Sequence, residues 1–210
     1  MISMKSSKVL EMLHQNRIEE LKAELQDEIF TESLKSKPNA KKRYAAMKRY
    51  LKTISEARPI LTKPCEIEFE GEKYNSFTNT YSLAFTKENC GEIAMCDEPD
   101  RYPDVTRLVS LNDDVGRIDL ERVLAEAKSK GYKYTKNSIH SNDYLMQYKG
   151  AYFRIGLVDV TYGIIADGGP ITVYHNGDKF GRLVIHNDIG IGLILPVRIE
   201  NPEECVVVDA

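Results

Sequence analysis

"RIGLVDVTYGIIADGG", residues 154–169, decides how this chain folds. Its β-branched residues and two internal glycines favour a strand. Its apolar residues, however, fall at Ile155, Val158, Tyr162 and Ile165, a helical step pattern. The spacing predicts a helix that ends at Gly168-Gly169. A second helix lies upstream in "IDLERVLAEAKSKG", with Leu120, Val123, Leu124 and Ala127 facing inward and Gly131 as the stop. Between the two, "DYLMQYKGAYF" (143–153) reads as one strand.

Around these helices the period changes to two. "EIEFEGEKYNSF" alternates about Gly71, and "TNTYSLAFT" follows with Tyr81, Leu83 and Phe85 on one face, a β-meander. Three strands close the chain: "PITVYH", "FGRLVIH" and "IGLILPVRI". Asn176-Gly177 is a hairpin signal between the first two, and Asn187-Asp188 joins the second pair. The expected fold is α+β: an antiparallel sheet of at least five strands over residues 65–199, backed by helices at about 118–130 and 155–166.

Residues 1–62 read as a separate charged helical hairpin ahead of an α+β module over 63–210. Leu10, Leu13, Leu21, Leu25 and Ile29 mark one amphipathic helix. After "SKPN" a second carries Tyr44, Met47, Leu51 and Ile54 on one face and ends at Arg58-Pro59. Residues 5–32 hold seven acids and four bases, whereas 35–63 hold ten bases and only Glu56, a net of 10 − 1 = +9. Two readings follow: the helices pair by charge, or Lys41, Lys42, Arg43, Lys48, Arg49 and Lys52 contact the phosphates of duplex DNA.

With 42% hydrophobic residues in 210, the chain can build a core without disulfides. The start "MISMKSSKVL" lacks the apolar core of a signal peptide, and no apolar run approaches a membrane span. A cytoplasmic protein with four reduced cysteines is the expectation. Cys90 and Cys96 lack zinc-knuckle spacing, and the four histidines are scattered. "GIG" (190–192) lacks the rest of a phosphate loop. No catalytic residue, metal or cofactor is expected.

Three stretches together resemble a known family. "RYPDVTRLVS" (101–110) is similar to the linker entering the last module of the bacterial sliding clamp, the β subunit of DNA polymerase III. "AYFRIGLVDVTYGII" (151–165) resembles that module's strand-to-second-helix segment. "GLILPVRI" (192–199) is similar to the family's terminal strand, with Leu195 and Val197 at its two methionine positions and Ile199 at its leucine. The resemblance covers about residues 65–199. A family chain has three modules in a dimeric ring; this one has room for little more than one, a shortened layout such as a phage or mobile element could carry.

The resemblance implies a non-enzymatic clamp-like replication accessory, with DNA as a partner and a groove that docks linear peptide motifs of replication or repair proteins. Carried onto this chain, the groove has Pro103, Arg107 and Leu108 on one side. Leu195, Pro196, Val197, Arg198 and Ile199 form the other. The alternative is a protein-binding module or decoy that keeps the groove without encircling DNA. On physical grounds alone, Pro196 is either a strand end or the lip of such a groove. The tail "ENPEECVVVDA" is read as lying in the groove or adding a strand, and the oligomeric state stays open.

Overall fold

The structure, a computed structural model, describes residues 6–15, 17–55, 57–169 and 171–210. Lys5, Glu56 and Pro170, assigned above to the first helix, the basic segment and a strand start, lie outside the described residues. The elements run α1 (Ser6–His14), α2 (Ile18–Ser33), α3 (Pro38–Leu51), β1 (Cys65–Phe69), β2 (Glu72–Thr78), β3 (Ser82–Thr86) and β4 (Asp114–Ile118). There follow α4 (Leu120–Ser129), β5 (Tyr144–Tyr148), β6 (Ala151–Arg154), α5 (Ile155–Ile165), β7 (Ile171–His175), β8 (Leu183–Asn187), β9 (Gly190–Ile194) and β10 (Val206–Asp209).

The fold is α+β, built on a seven-stranded sheet in the order β1-β2-β3-β9-β8-β7-β4, antiparallel at every pairing. Helix α5 packs on β3 and β9 at the middle of one face. Every described residue of α5 except Gly163 is buried, because the sheet, α3, α4 and the β5–β6 hairpin enclose it. A helix apolar on all sides is a core helix, which is why its composition resembles a strand's. Its glycines mark close approaches: a methyl at Gly156 would strike the Ser138 carbonyl, and one at Gly163 would sit 3.0 Å from Ala46 Cβ on α3.

The sheet is covered on both faces. Phe77, Ala84, Ile185 and Ile194 join the α5 core, while Leu83, Phe85, Val184, Ile191 and Leu193 pack under Tyr102, Val105 and Val109 from the loop after β3. Double coverage explains why every residue of β3 and of β9 is buried, including Ser82 and Thr86 at the ends of β3.

Several expectations need correction. The single strand over 143–153 is a hairpin, β5 and β6, turned by Lys149 and Gly150, both at positive φ (46° and 80°). It forms a second sheet with β10, which runs parallel to β5. The tail therefore adds a strand. The β7–β8 connection is longer than a two-residue turn, since β7 ends at His175 and β8 begins at Leu183. The first helix is two, and Leu10, Leu13 and Ile29 are exposed while Met12 and Leu21 are buried. Tyr44, Met47 and Tyr50 of α3 belong to the main core, so the 62/63 boundary falls between elements that share one core.

Candidate functional site

Strand β9 does not simply stop at proline. Leu195 N donates to Tyr81 O at 3.0 Å, beside the large sheet. Two residues later Val197 N donates to Tyr152 O at 2.8 Å, on β6 of the small sheet. Pro196 has no donor to offer and stands where the chain passes from one sheet to the other.

This hand-over leaves apolar surface uncovered. Strand alternation puts Leu195 on the same side as Ile191 and Leu193. Those two are buried by the covering loop, whereas Leu195 is 41% exposed. Leu108, at the end of the turn Thr106–Leu108, is 50% exposed. The two line one depression of about 330 Å³, floored by Leu83 and Leu193. Tyr81 and Phe180 line it too, at 41% and 46% exposed.

Two cations attend it. Arg182 lines the depression and reaches Asp113 only at 3.9 Å. The Arg198 guanidinium lies 4.8 Å from the centre of the Phe180 ring. Of the residues the sequence assigned to a groove, Leu108 and Leu195 line this depression, and Arg198 meets it through Phe180. Pro103, Arg107, Val197 and Ile199 do not line it; Arg107 pairs with Asp104 at 3.5 Å, and Val197 bridges to Tyr152. No residue of 200–210 lines it either, so the tail leaves the depression open.

The basic helix presents a different picture. Arg43 is buried, its guanidinium donating to Ala166 O at 2.8 Å and Glu88 Oε1 at 2.6 Å. Arg49 donates to Asp159 Oδ1 at 3.0 Å and stacks 4.5 Å from the Tyr134 ring centre. Asp159 sits inside α5 and also accepts from Tyr132 OH at 3.1 Å; burial and that carboxylate push the Tyr132 phenol far above its ordinary pKa. Lys48 pairs with Asp27 of α2 at 2.7 Å. Burial raises the Asp27 pKa, but Lys48 and Tyr44 outweigh it and hold that carboxyl below its ordinary value. Lys41, Lys42 and Lys52 are exposed, without an ion pair to any described residue.

Among the described residues, no group of three or more His, Cys, Asp or Glu could hold a metal. His175 is fully buried; its Nδ1 accepts from Gly177 N at 3.0 Å, and the Tyr148 and Phe153 rings stand edge-on to it. No helix among the described residues is long and apolar enough to cross a membrane.

No family model matches the chain, and no curated protein matches it. Among solved structures, the crystal structure of the DNA polymerase III β subunit from Thermotoga maritima is similar, with a TM-score of 0.47 and 10% identity. The match covers 77% of this chain and 64% of that one, so the chain spans less than two thirds of its length. A likeness of that size fixes neither family nor activity.

Phe180, Arg182, Tyr81 and Leu193 also line the depression, and the sequence reading assigns none of them to a groove. One signal was available. Phe180 is an aromatic inside "HNGDKFGR", among turn formers that cannot bury it, and an aromatic in such a loop is apolar surface held in water.

Proposed function

We propose that this chain is a non-enzymatic, clamp-like replication accessory whose working site is the depression between Leu108 and Leu195, and that it docks a short extended peptide with apolar and acidic residues. One observation carries this. Four large apolar side chains, Tyr81, Leu108, Phe180 and Leu195, stand 41–50% exposed around one concavity instead of being scattered singly. Arg182 and Arg198 beside them supply donors for a carboxylate. Pro196 keeps the strand end from laddering with a neighbouring chain, so side-chain pockets rather than sheet extension would select the ligand. The local resemblance of 101–110 and 192–199 to sliding-clamp segments supports a partner among replication or repair proteins.

Direct DNA contact is the second reading, favoured by Lys41, Lys42 and Lys52, which stay exposed on α3 and its C-terminal end. With Arg43, Lys48 and Arg49 engaged internally, few phosphate contacts remain and any binding should be weak.

The test is titration of a fluorescent peptide bearing two large apolar residues and an aspartate. Saturable binding weakened about 5–30-fold by Leu108→Ala or Leu195→Ala, the ~1–2 kcal/mol of an interface anchor, supports the reading. Binding that survives both substitutions, or is absent from the unaltered chain, overturns it.

A further inference from the structure

Two of the four cysteines meet, although the sequence places them far apart. Cys65 opens β1 and is buried; Cys96 lies in the loop after β3 and is partly exposed. Cys96 N donates to the Pro64 carbonyl at 2.8 Å. That bond, one N–Cα length and the carbonyl-to-next-Cα span hold the two Cα atoms within about 7 Å, the reach of a disulfide. Both side chains pack into the cluster that holds Tyr102, where the Cys65 thiol has only a long bond to offer, to the Glu66 carbonyl at 3.5 Å. Cys90 is buried in the other core, and Cys205 sits by the tail.

We propose that Cys65 and Cys96 form a redox-active pair that closes into an intramolecular disulfide on exposure to a small disulfide such as oxidised glutathione. The accessible member starts the exchange. The Cys96 thiolate attacks one sulfur of oxidised glutathione, the glutathione S–S bond breaks, and one glutathione thiolate leaves and takes up a proton. The Cys65 thiolate then attacks Cys96 Sγ, displacing the second glutathione as its thiol. Two protein thiols and one small disulfide become one protein disulfide and two small thiols, so electrons and protons balance.

The surroundings set the character of the pair. Burial pushes the Cys65 thiol up to about 11, with Cys96 adding to the shift. A thiol so reluctant to ionise attacks slowly, and its thiolate is a poor leaving group once bonded. The pair is therefore a slow, durable staple rather than a fast exchange catalyst. It ties β1 to the loop that continues through Tyr102, whose hydroxyl donates to Ser76 O at 3.1 Å, and on to Leu108. Oxidation fastens this loop over the second face of the sheet.

The experiment incubates the folded full-length chain with oxidised glutathione, blocks the remaining thiols and maps peptides by mass. The expected result is a Cys65–Cys96 linked peptide, Cys90 and Cys205 not joined to either, and a melting temperature raised on the order of 5 °C, reversed by dithiothreitol. Cys96→Ser, a change at the partly exposed member, should abolish both link and shift without lowering the reduced protein's melting temperature. A glutathione adduct that persists on Cys96 without resolving, a link that forms only in denaturant, or an unchanged thiol count each overturns the proposal.

Discussion

Helix α3 and the depression beside Pro196 invert what their compositions suggest. The helix is the most basic part of the chain, yet Arg43, Lys48 and Arg49 are held by Glu88, Asp27 and Asp159, and Tyr44, Met47 and Tyr50 are core. The depression lies at the end of the most apolar strand, yet its Leu195 stands in water with Leu108, Phe180 and Tyr81. Charge that looks like a binding surface serves packing, and apolar residues that look like packing form a surface. What decides is the partner each side chain meets, since a cation beside a buried carboxylate is spoken for and a leucine without a covering loop is free.

The largest effect that can break this contrast is in the helix. Tyr50 is fully buried and its hydroxyl donates to Ser82 O at 2.7 Å, so Tyr50→Ala should lose about 4 kcal/mol in urea denaturation. A loss under about 1 kcal/mol would make α3 a peripheral appendage. Asp159→Ala comes next. It strands the Arg49 guanidinium and the Tyr132 hydroxyl, and because the Arg49 side chain is 34% exposed the cost should be about 2 kcal/mol, below that of a fully buried pair. Leu195→Ala should lower folding stability by less than about 1 kcal/mol, well short of a core leucine; a core-sized loss would return 192–199 to an ordinary strand end.

A smaller effect is written in pH. Burial holds the His175 pKa below its ordinary value, while the unfolded chain protonates near 6.5. The unfolded state thus binds the extra proton first. Stability is full above about pH 6.5 and falls as pH drops toward the folded pKa. His175→Gln should flatten the melting-temperature profile between pH 7 and 5, leaving the shallower slope of His186, whose pKa burial also lowers. An unchanged profile would show that His175 does not carry the slope. The smallest effect expected is charge reversal at Lys41, Lys42 and Lys52, which should leave the thermal melt where it was. If DNA binding is measurable, each lost phosphate contact should lower the slope of log K against log[salt] by about 0.9; an unaltered slope removes α3 from any DNA contact.

The sequence revealed α4 and α5 nearly to their ends, because capping and stop signals flank them: Asp119 caps α4 through Arg122 N, and glycines follow both helices. The β5–β6 turn was hidden because Lys-Gly is a weaker signal than Asn-Gly, although both residues take the same left-handed geometry. Exposure of Leu10 and Leu13 escaped the helical pattern because periodicity counts apolar residues without asking what covers them. The paired state of the basic helix had one readable clue in Asp159, an acid inside an otherwise apolar segment that burial obliges to find a cation. The depression was half legible. Leu108 and Leu195 came from the family likeness, and the rest depends on a loop whose path no local pattern encodes.

The central position of α5 carries a kinetic consequence. The polar ties of the helix and of the residue after it reach far along the chain, Asp159 to Arg49 across 110 residues and Ala166 to Arg43 across 123. Its β-branched, glycine-containing sequence has little helical propensity to hold it in isolation. The segment should therefore stay unstructured until α3, β3 and β9 have assembled around it. Closing loops of that length before any contact repays them predicts slow folding for so short a chain, with helix signal from α5 appearing together with sheet signal in one late phase. A peptide spanning 154–166 would show no helix in water on its own.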